Sequence, residues 1–152
     1  MATSTLLQYL QATDGDGVAL GVTPSNRRQV ERFIASSAIA ANDLVALDFS
    51  KTADGDKALY IIKADDSLIS QVAIGFALNA ATAAGDEVDV TIAGIHEDAN
   101  VVGTTAAGDR LIISAVAGQA KVVVASDIVP IVAVAVEADT GNVATVFVLK
   151  QF

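Results

Sequence analysis

The residue type best suited to acid–base chemistry occurs once in this chain, as His96 in the segment Gly94-Ile95-His96-Glu97-Asp98. An imidazole can activate a serine or threonine nucleophile or bind a metal, because its pKa lies near neutral pH. A single histidine and no cysteine leave no imidazole or thiolate partner for a zinc site. We therefore interpret His96 as an ordinary loop residue at the end of a strand, and we assign no catalytic residue.

Carboxylates are the other groups that could carry chemistry, and they occur in short clusters. Asp14-Gly15-Asp16 and Asp54-Gly55-Asp56 are spaced like the first ligands of a calcium loop, but no further oxygen ligands or closing glutamate follow. Asp65-Asp66 and Glu97-Asp98 are sequence neighbours, which on a strand point to opposite faces. The sequence therefore predicts turns, no metal site, no cofactor and no catalytic carboxylate pair.

Substitutions at these polar positions test that interpretation. We expect His96→Ala, and Asp65→Asn combined with Asp66→Asn, to cost no more than ordinary surface substitutions. Such changes usually stay within about 0.5 kcal/mol.

The elements that would position these residues are short strands separated by turns. Residues 88–92 alternate between apolar and polar side chains, which is typical of a half-buried strand with its polar residues outward. Residues 29–35 fit a helix or a strand, and we favour a strand because no helix stop precedes Asn42-Asp43. Residues 122–124 and 143–149 lack clean alternation, which predicts cover on both faces. The predicted fold class is all-β, a compact β-sandwich or barrel.

The second half of the chain repeats the first. Ala40-Ala41-Asn42-Asp43 and the strand after it correspond to Ala106-Ala107-Gly108-Asp109 and its following strand, an offset of 106 minus 40, or 66 residues. The offset falls to 62 and then 58 at the next two apolar segments, as expected when a duplication is followed by changes in loop length. We predict one β domain over 26–152, with similar halves at about 28–95 and 96–152.

Residues 1–25 differ in composition from this domain. An apolar cluster precedes Asp14-Gly15-Asp16-Gly17, a turn-rich stretch, so we predict an extended N-terminal arm. The arm docks onto its own domain or onto a neighbouring chain, and we favour the neighbour. Arg27-Arg28 is the only basic doublet in the sequence. We expect it either to contact an acidic partner or to be a solvated pair beside a strand. The candidate contact residues are Leu6, Leu7, Tyr9, Leu10, Arg27 and Arg28.

Composition narrows the classes of partner. The chain has 152 residues, 53% of them hydrophobic, yet no apolar run approaches the roughly 18 residues of a membrane helix. A net charge of −9 weighs against nucleic acid as a partner. The N-terminus has no basic segment before an apolar stretch, so we expect no secretory signal. The apolar content exceeds what one core of this size would hide, which predicts a homotrimer.

Three segments resemble the decoration, or cement, proteins of tailed-phage capsids. Residues 74–95 match the family run G-x-A-L-x-A-A-x-A-G-D-x-V-x-V-x-x-x-G with one additional alanine before Gly85. Residues 41–48 match a preceding A-x-D-x-V-A-L-D strand, and residues 135–138 match a terminal A-x-E-A element. The resemblance covers roughly 28–152. Asn42 stands where the family prefers glycine, and asparagine tolerates the same left-handed backbone.

The resemblance implies a fold of β-clip or tulip-like type and a non-enzymatic function. Such a protein, made in the host cytoplasm, would be a trimer on the outer surface of the virion. It would bind the major capsid protein at threefold or quasi-threefold positions and staple neighbouring subunits.

Other functions remain open from the sequence. One is another structural protein of a phage or virus, and a second is a small trimeric β-clip-type enzyme or ligand-binding domain. A third is a lipoyl- or biotinyl-like carrier domain, although Lys57 and Lys63 lack the flanking residues of a modified lysine.

Overall fold

The computed structural model describes residues 28–66, 71–125 and 129–151. Strands make up 47% of these residues and helix 3%, which confirms the predicted all-β class. One short helix, α1 (Asp54–Lys57), lies in these ranges, and none there is long and apolar enough to cross a membrane. The strands are β1 (Arg28–Ala35), β2 (Leu44–Leu47), β3 (Tyr60–Lys63), β4 (Ala73–Ala77), β5 (Glu87–Val102), β6 (Arg110–Ile113), β7 (Ala120–Val122), β8 (Ala133–Ala135) and β9 (Val143–Val148).

The strands form two closed, five-stranded rings that share β5. The first ring has the order β1-β3-β2-β4-β5 and closes through antiparallel pairing of β1 with β5. The second ring has the order β5-β7-β6-β8-β9 and closes through antiparallel pairing of β5 with β9. At 16 residues, β5 is long enough to serve both rings.

The two rings have the same pairing pattern. Each contains one parallel pair, β1 with β3 in the first ring and β5 with β7 in the second. The other pairs in both rings are antiparallel. β2, β3 and β4 occupy the places in the first ring that β6, β7 and β8 occupy in the second, and these strands lie in the segments that correspond in the sequence repeat.

Two apolar cores lie against a shared wall. β2 and β4 belong to the first ring, but their side chains alternate between the two cores. Val45 faces the first core, for example, while Leu44 and Phe76 face the second. A strand covered on both faces has no polar side, which explains the continuous apolar run of β2. Much of the high apolar content is thereby buried within one chain.

Three turns of the type Ala-Ala-Asn/Gly-Asp precede β2, β5 and β6. In each, the aspartate carboxylate accepts a hydrogen bond from the backbone N–H three residues earlier, at 2.8, 3.0 and 2.8 Å for Asp43, Asp86 and Asp109. The third residue has a left-handed backbone: φ is 68° at Asn42, 96° at Gly85 and 90° at Gly108. Glycine adopts this region without strain and asparagine tolerates it, which explains the residue types of this motif.

The structure confirms one local prediction and corrects several others. The strand predicted at 29–35 is β1. Residues 54–56 begin α1 instead of forming a turn, and β5 continues to Val102, so His96 lies within a strand. Thr91, predicted to face outward, is fully buried because the second ring covers it.

Two segments predicted to be covered on both faces are also partly open. Phe147 in β9 is 44% exposed, and Val124 lies beyond the end of β7 and is 57% exposed. The alternating burial along β9 shows one face toward the second core and one toward solvent. The predicted N-terminal arm, residues 1–25, lies outside the described residues.

Candidate functional site

His96 is held on three sides where the two rings meet. Its Nε2 lies 3.3 Å from Oδ1 of Asn42, and its Nδ1 lies 3.1 Å from the hydroxyl oxygen of Thr91. The imidazole stacks on the ring of Phe76, with centroids 5.3 Å apart. The side chain is buried, so both ring nitrogens and one ring face are engaged inside the protein.

Burial keeps the imidazole neutral, and its two hydrogen-bond partners then select the tautomer. With the amide oxygen of Asn42 toward it, Nε2 donates a hydrogen bond, and Nδ1 accepts one from the Thr91 hydroxyl. Burial, and secondarily the charge of Arg28, lower the pKa of His96 to about 4. His96 is therefore neutral at neutral pH and structural. The prediction that His96 lies in a loop is wrong, because it is buried within β5. The small effect expected of His96→Ala depended on that placement, so we expect this substitution to lower the free energy of unfolding substantially.

Asp43 is a second buried polar group at the junction of the rings. Its carboxylate accepts hydrogen bonds from the backbone N–H of Ala40 at 2.8 Å and from Nδ2 of Asn100 at 2.9 Å. Lys63 Nζ lies 3.0 Å from the same carboxylate. Gly118, between β6 and β7, packs so closely that a Cβ there would lie 2.8 Å from Asp43 Cγ. These contacts join elements of both rings, so Asp43 has a structural role.

Other carboxylates are also committed to local structure. Backbone N–H groups of Ala83 and Thr82 donate to Asp86 and lower its pKa. Asp48 accepts hydrogen bonds from Ser36 and Ser50, which lower its pKa against the opposing effect of burial, the largest single influence. Each of these carboxylates anchors its own turn or strand end.

The carboxylate pairs singled out in the sequence do not form acid–base dyads. Asp66 lies 3.4 Å from Lys121 Nζ, and the backbone N–H of Asp65 donates to Gln71. Glu97 and Asp98 are exposed in the irregular part of β5, where Asp98 has a φ of 58°. Across the three described ranges, no group of three or more histidine or acidic side chains is placed to hold a metal.

No protein-family model matches this chain, and no curated protein matches it.

The predicted contact residues fall mostly outside the described part of the chain. Leu6, Leu7, Tyr9, Leu10 and Arg27 lie in residues 1–27, which are not described. Arg28 is exposed at the start of β1, where it pairs with Gly94 of β5. Its role in contacting a partner stays a prediction.

A surface that the sequence analysis missed lies on the outside of the second ring. Arg110, Val134, Phe147 and Ile95 are directly paired across β6, β8, β9 and β5, so their side chains share one face. Val136, two residues beyond Val134, extends this face and is 50% exposed. We call these five residues the open face. The sequence carries no clear signal for it, because residues 143–148 do not alternate cleanly between apolar and polar side chains.

Proposed function

We propose that this chain is a structural decoration protein of a phage capsid. It binds the outer surface of an icosahedral head at threefold or quasi-threefold positions. There it contacts the major capsid protein as a homotrimer and staples neighbouring subunits together. The proposal places the protein on the virion and assigns it no catalytic residue and no cofactor.

The observation that carries the proposal is the resemblance of residues 74–95 to the capsid decoration proteins. This run forms β4, the second Ala-Ala-Gly-Asp turn and the first part of β5. The two accompanying matches, residues 41–48 and 135–138, lie at β2 and at the end of β8. The matched residues thus include two of the three carboxylate-anchored turns.

The placement of polar groups favours a structural role over a small β-clip-type enzyme. His96 and Asp43 are buried and fully engaged at the junction of the rings. Asp48 and Asp86, whose pKa values are lowered, accept hydrogen bonds that hold a strand end and a turn. An enzyme would need groups that are free to meet a substrate, and these groups are not.

Charge and symmetry are consistent with attachment to the outside of a head. A net charge of −9 suits a surface away from the packaged DNA. A symmetric trimer combines several weak contacts into one persistent attachment. Self-association no longer follows from apolar content alone, because two cores hide much of that content. It depends instead on surface that remains exposed, such as the open face.

The test uses the phage that encodes this chain, with its gene intact or deleted. We expect mass spectrometry to find the chain on purified intact heads, and heads lacking it to rupture at a lower temperature. Adding purified protein should restore both binding and heat resistance. The Asp65→Asn, Asp66→Asn variant is a matched control that should restore them equally. Heads that never carry the chain would refute the proposal.

A further inference from the structure

The open face of the second ring has a counterpart in the first ring. Leu44, Phe76 and Thr91 are paired across β2, β4 and β5 in the same way that Arg110, Val134 and Phe147 are paired across β6, β8 and β9. The first set therefore occupies the position in its ring that the open face occupies in the second. Internal repetition makes the two faces directly comparable.

The two faces differ in what covers them. Leu44, Phe76 and Thr91 are all fully buried, because the second ring packs on them. His96 stacks on Phe76 and hydrogen-bonds to Thr91 as part of that cover. On the open face, nothing in the described residues covers Phe147, which is 44% exposed. Within the described residues, this face is used for packing in the first ring and stays partly exposed in the second.

Charges lie at the two ends of the open face. The four paired residues of the open face span about 14 Å across four strands at the usual strand spacing, from Arg110 on β6 to Ile95 on β5. Glu97, exposed, follows Ile95 by two positions and lies where the register of β5 shifts between His96 and Ala99. Neither Arg110 nor Glu97 takes part in an ion pair within the described residues. The face is therefore apolar in the middle, positive at one end and negative at the other.

We infer that the open face is the surface through which this chain binds a second copy of itself. Copies arranged around a symmetry axis bring one end of each face against the opposite end of the next. Arg110 of one copy then meets Glu97 of its neighbour, while Phe147 and Val136 become buried between them. A single acidic chain thus supplies both charges of the contact, despite its overall negative charge.

This inference specifies the contact of the trimer in the proposed function. The test is sedimentation velocity of the purified full-length chain at micromolar concentration, without heads. We expect the wild type to be an oligomer. Phe147→Asp should raise the dissociation constant at least tenfold, whereas Phe49→Asp, at a 45% exposed position away from the open face, should leave it unchanged.

A charge swap tests the contact without altering any core residue. Arg110→Glu should weaken association, and combining it with Glu97→Arg should restore most of it, because the pair is then reversed. Circular dichroism confirms that each variant is folded. A monomeric wild type, equal effects of Phe147→Asp and Phe49→Asp, or a swap that restores nothing would each overturn the inference. Head binding is measured separately, so an oligomer that fails to bind heads contradicts the proposed function and not this contact.

Discussion

Lowering the pH from 7 to 5 should destabilise this protein through one side chain. His96 has a pKa of about 4 in the folded chain, because it is buried beside Phe76 and close to Arg28, against 6.5 for an unperturbed imidazole. The unfolded chain therefore binds a proton at a pH where the folded chain does not. The contribution of His96 to the free energy of unfolding is fully present above about pH 6.5 and is lost as the pH falls toward 4.

The size of this effect follows from the two pKa values. Between pH 7 and pH 5 the free energy of unfolding should fall by about 2 kcal/mol, and the total loss well below pH 4 is about 3 kcal/mol. His96 is the only histidine in the chain. The pKa values of Asp48, Asp86 and Asp89 are shifted downward, so these carboxylates stay ionised over the same interval.

Urea unfolding at fixed protein concentration, at pH 7, 6 and 5, measures the effect. His96→Gln is the control, because glutamine cannot titrate. This variant should be less stable at pH 7 and should lose less than about 0.5 kcal/mol on going to pH 5. Equal stability of the wild type at pH 7 and pH 5 would refute a buried, neutral His96. A fall of the same size in His96→Gln would show that another group titrates.

Three further predictions concern the junction of the rings and the N-terminal segment. Gly118→Ala should lower the free energy of unfolding by about 3 kcal/mol and Gly103→Ala by about 1 kcal/mol, since both glycines have φ near +80° but only Gly118 faces Asp43. Equal losses in urea unfolding would contradict the packing described. Asp43→Ala should lower the free energy of unfolding, measured in urea, by about 3 kcal/mol, because Asn100 and Lys63 lose their partner. Asp65→Asn combined with Asp66→Asn should change it by less than about 0.5 kcal/mol. Deleting residues 1–24 should leave the melting temperature nearly unchanged and weaken head attachment, and an unfolded product would contradict it.

The fold class could be predicted because its signals are local. The Ala-Ala-Asn/Gly-Asp motif contains its own hydrogen-bond acceptor and its own left-handed residue, so the turn follows from four residues. Alternation within 88–92 similarly indicates a strand from its own side chains. The repeat could be read because both rings use the same elements in the same order.

Burial at the junction could not be predicted from such signals. Thr91 and His96 lie on a strand whose outer face would meet solvent if the first ring stood alone. The second ring covers that face, and only the pairing of β5 with both β1 and β9 reveals this. The same reasoning applies to Phe147, because nothing near it in the sequence indicates which of the two equivalent faces lacks a cover.

Sharing β5 between the rings has a consequence for how the protein unfolds. Neither ring can close without this strand, and its 16 residues supply a backbone partner to strands from both ends of the domain. We therefore expect loss of the whole of β5 to open both rings, and neither half to be stable alone. We expect one cooperative transition, with β5 amides exchanging only through global unfolding. Although the sequence contains two similar units, we expect neither unit to remain folded when it is separated from the other.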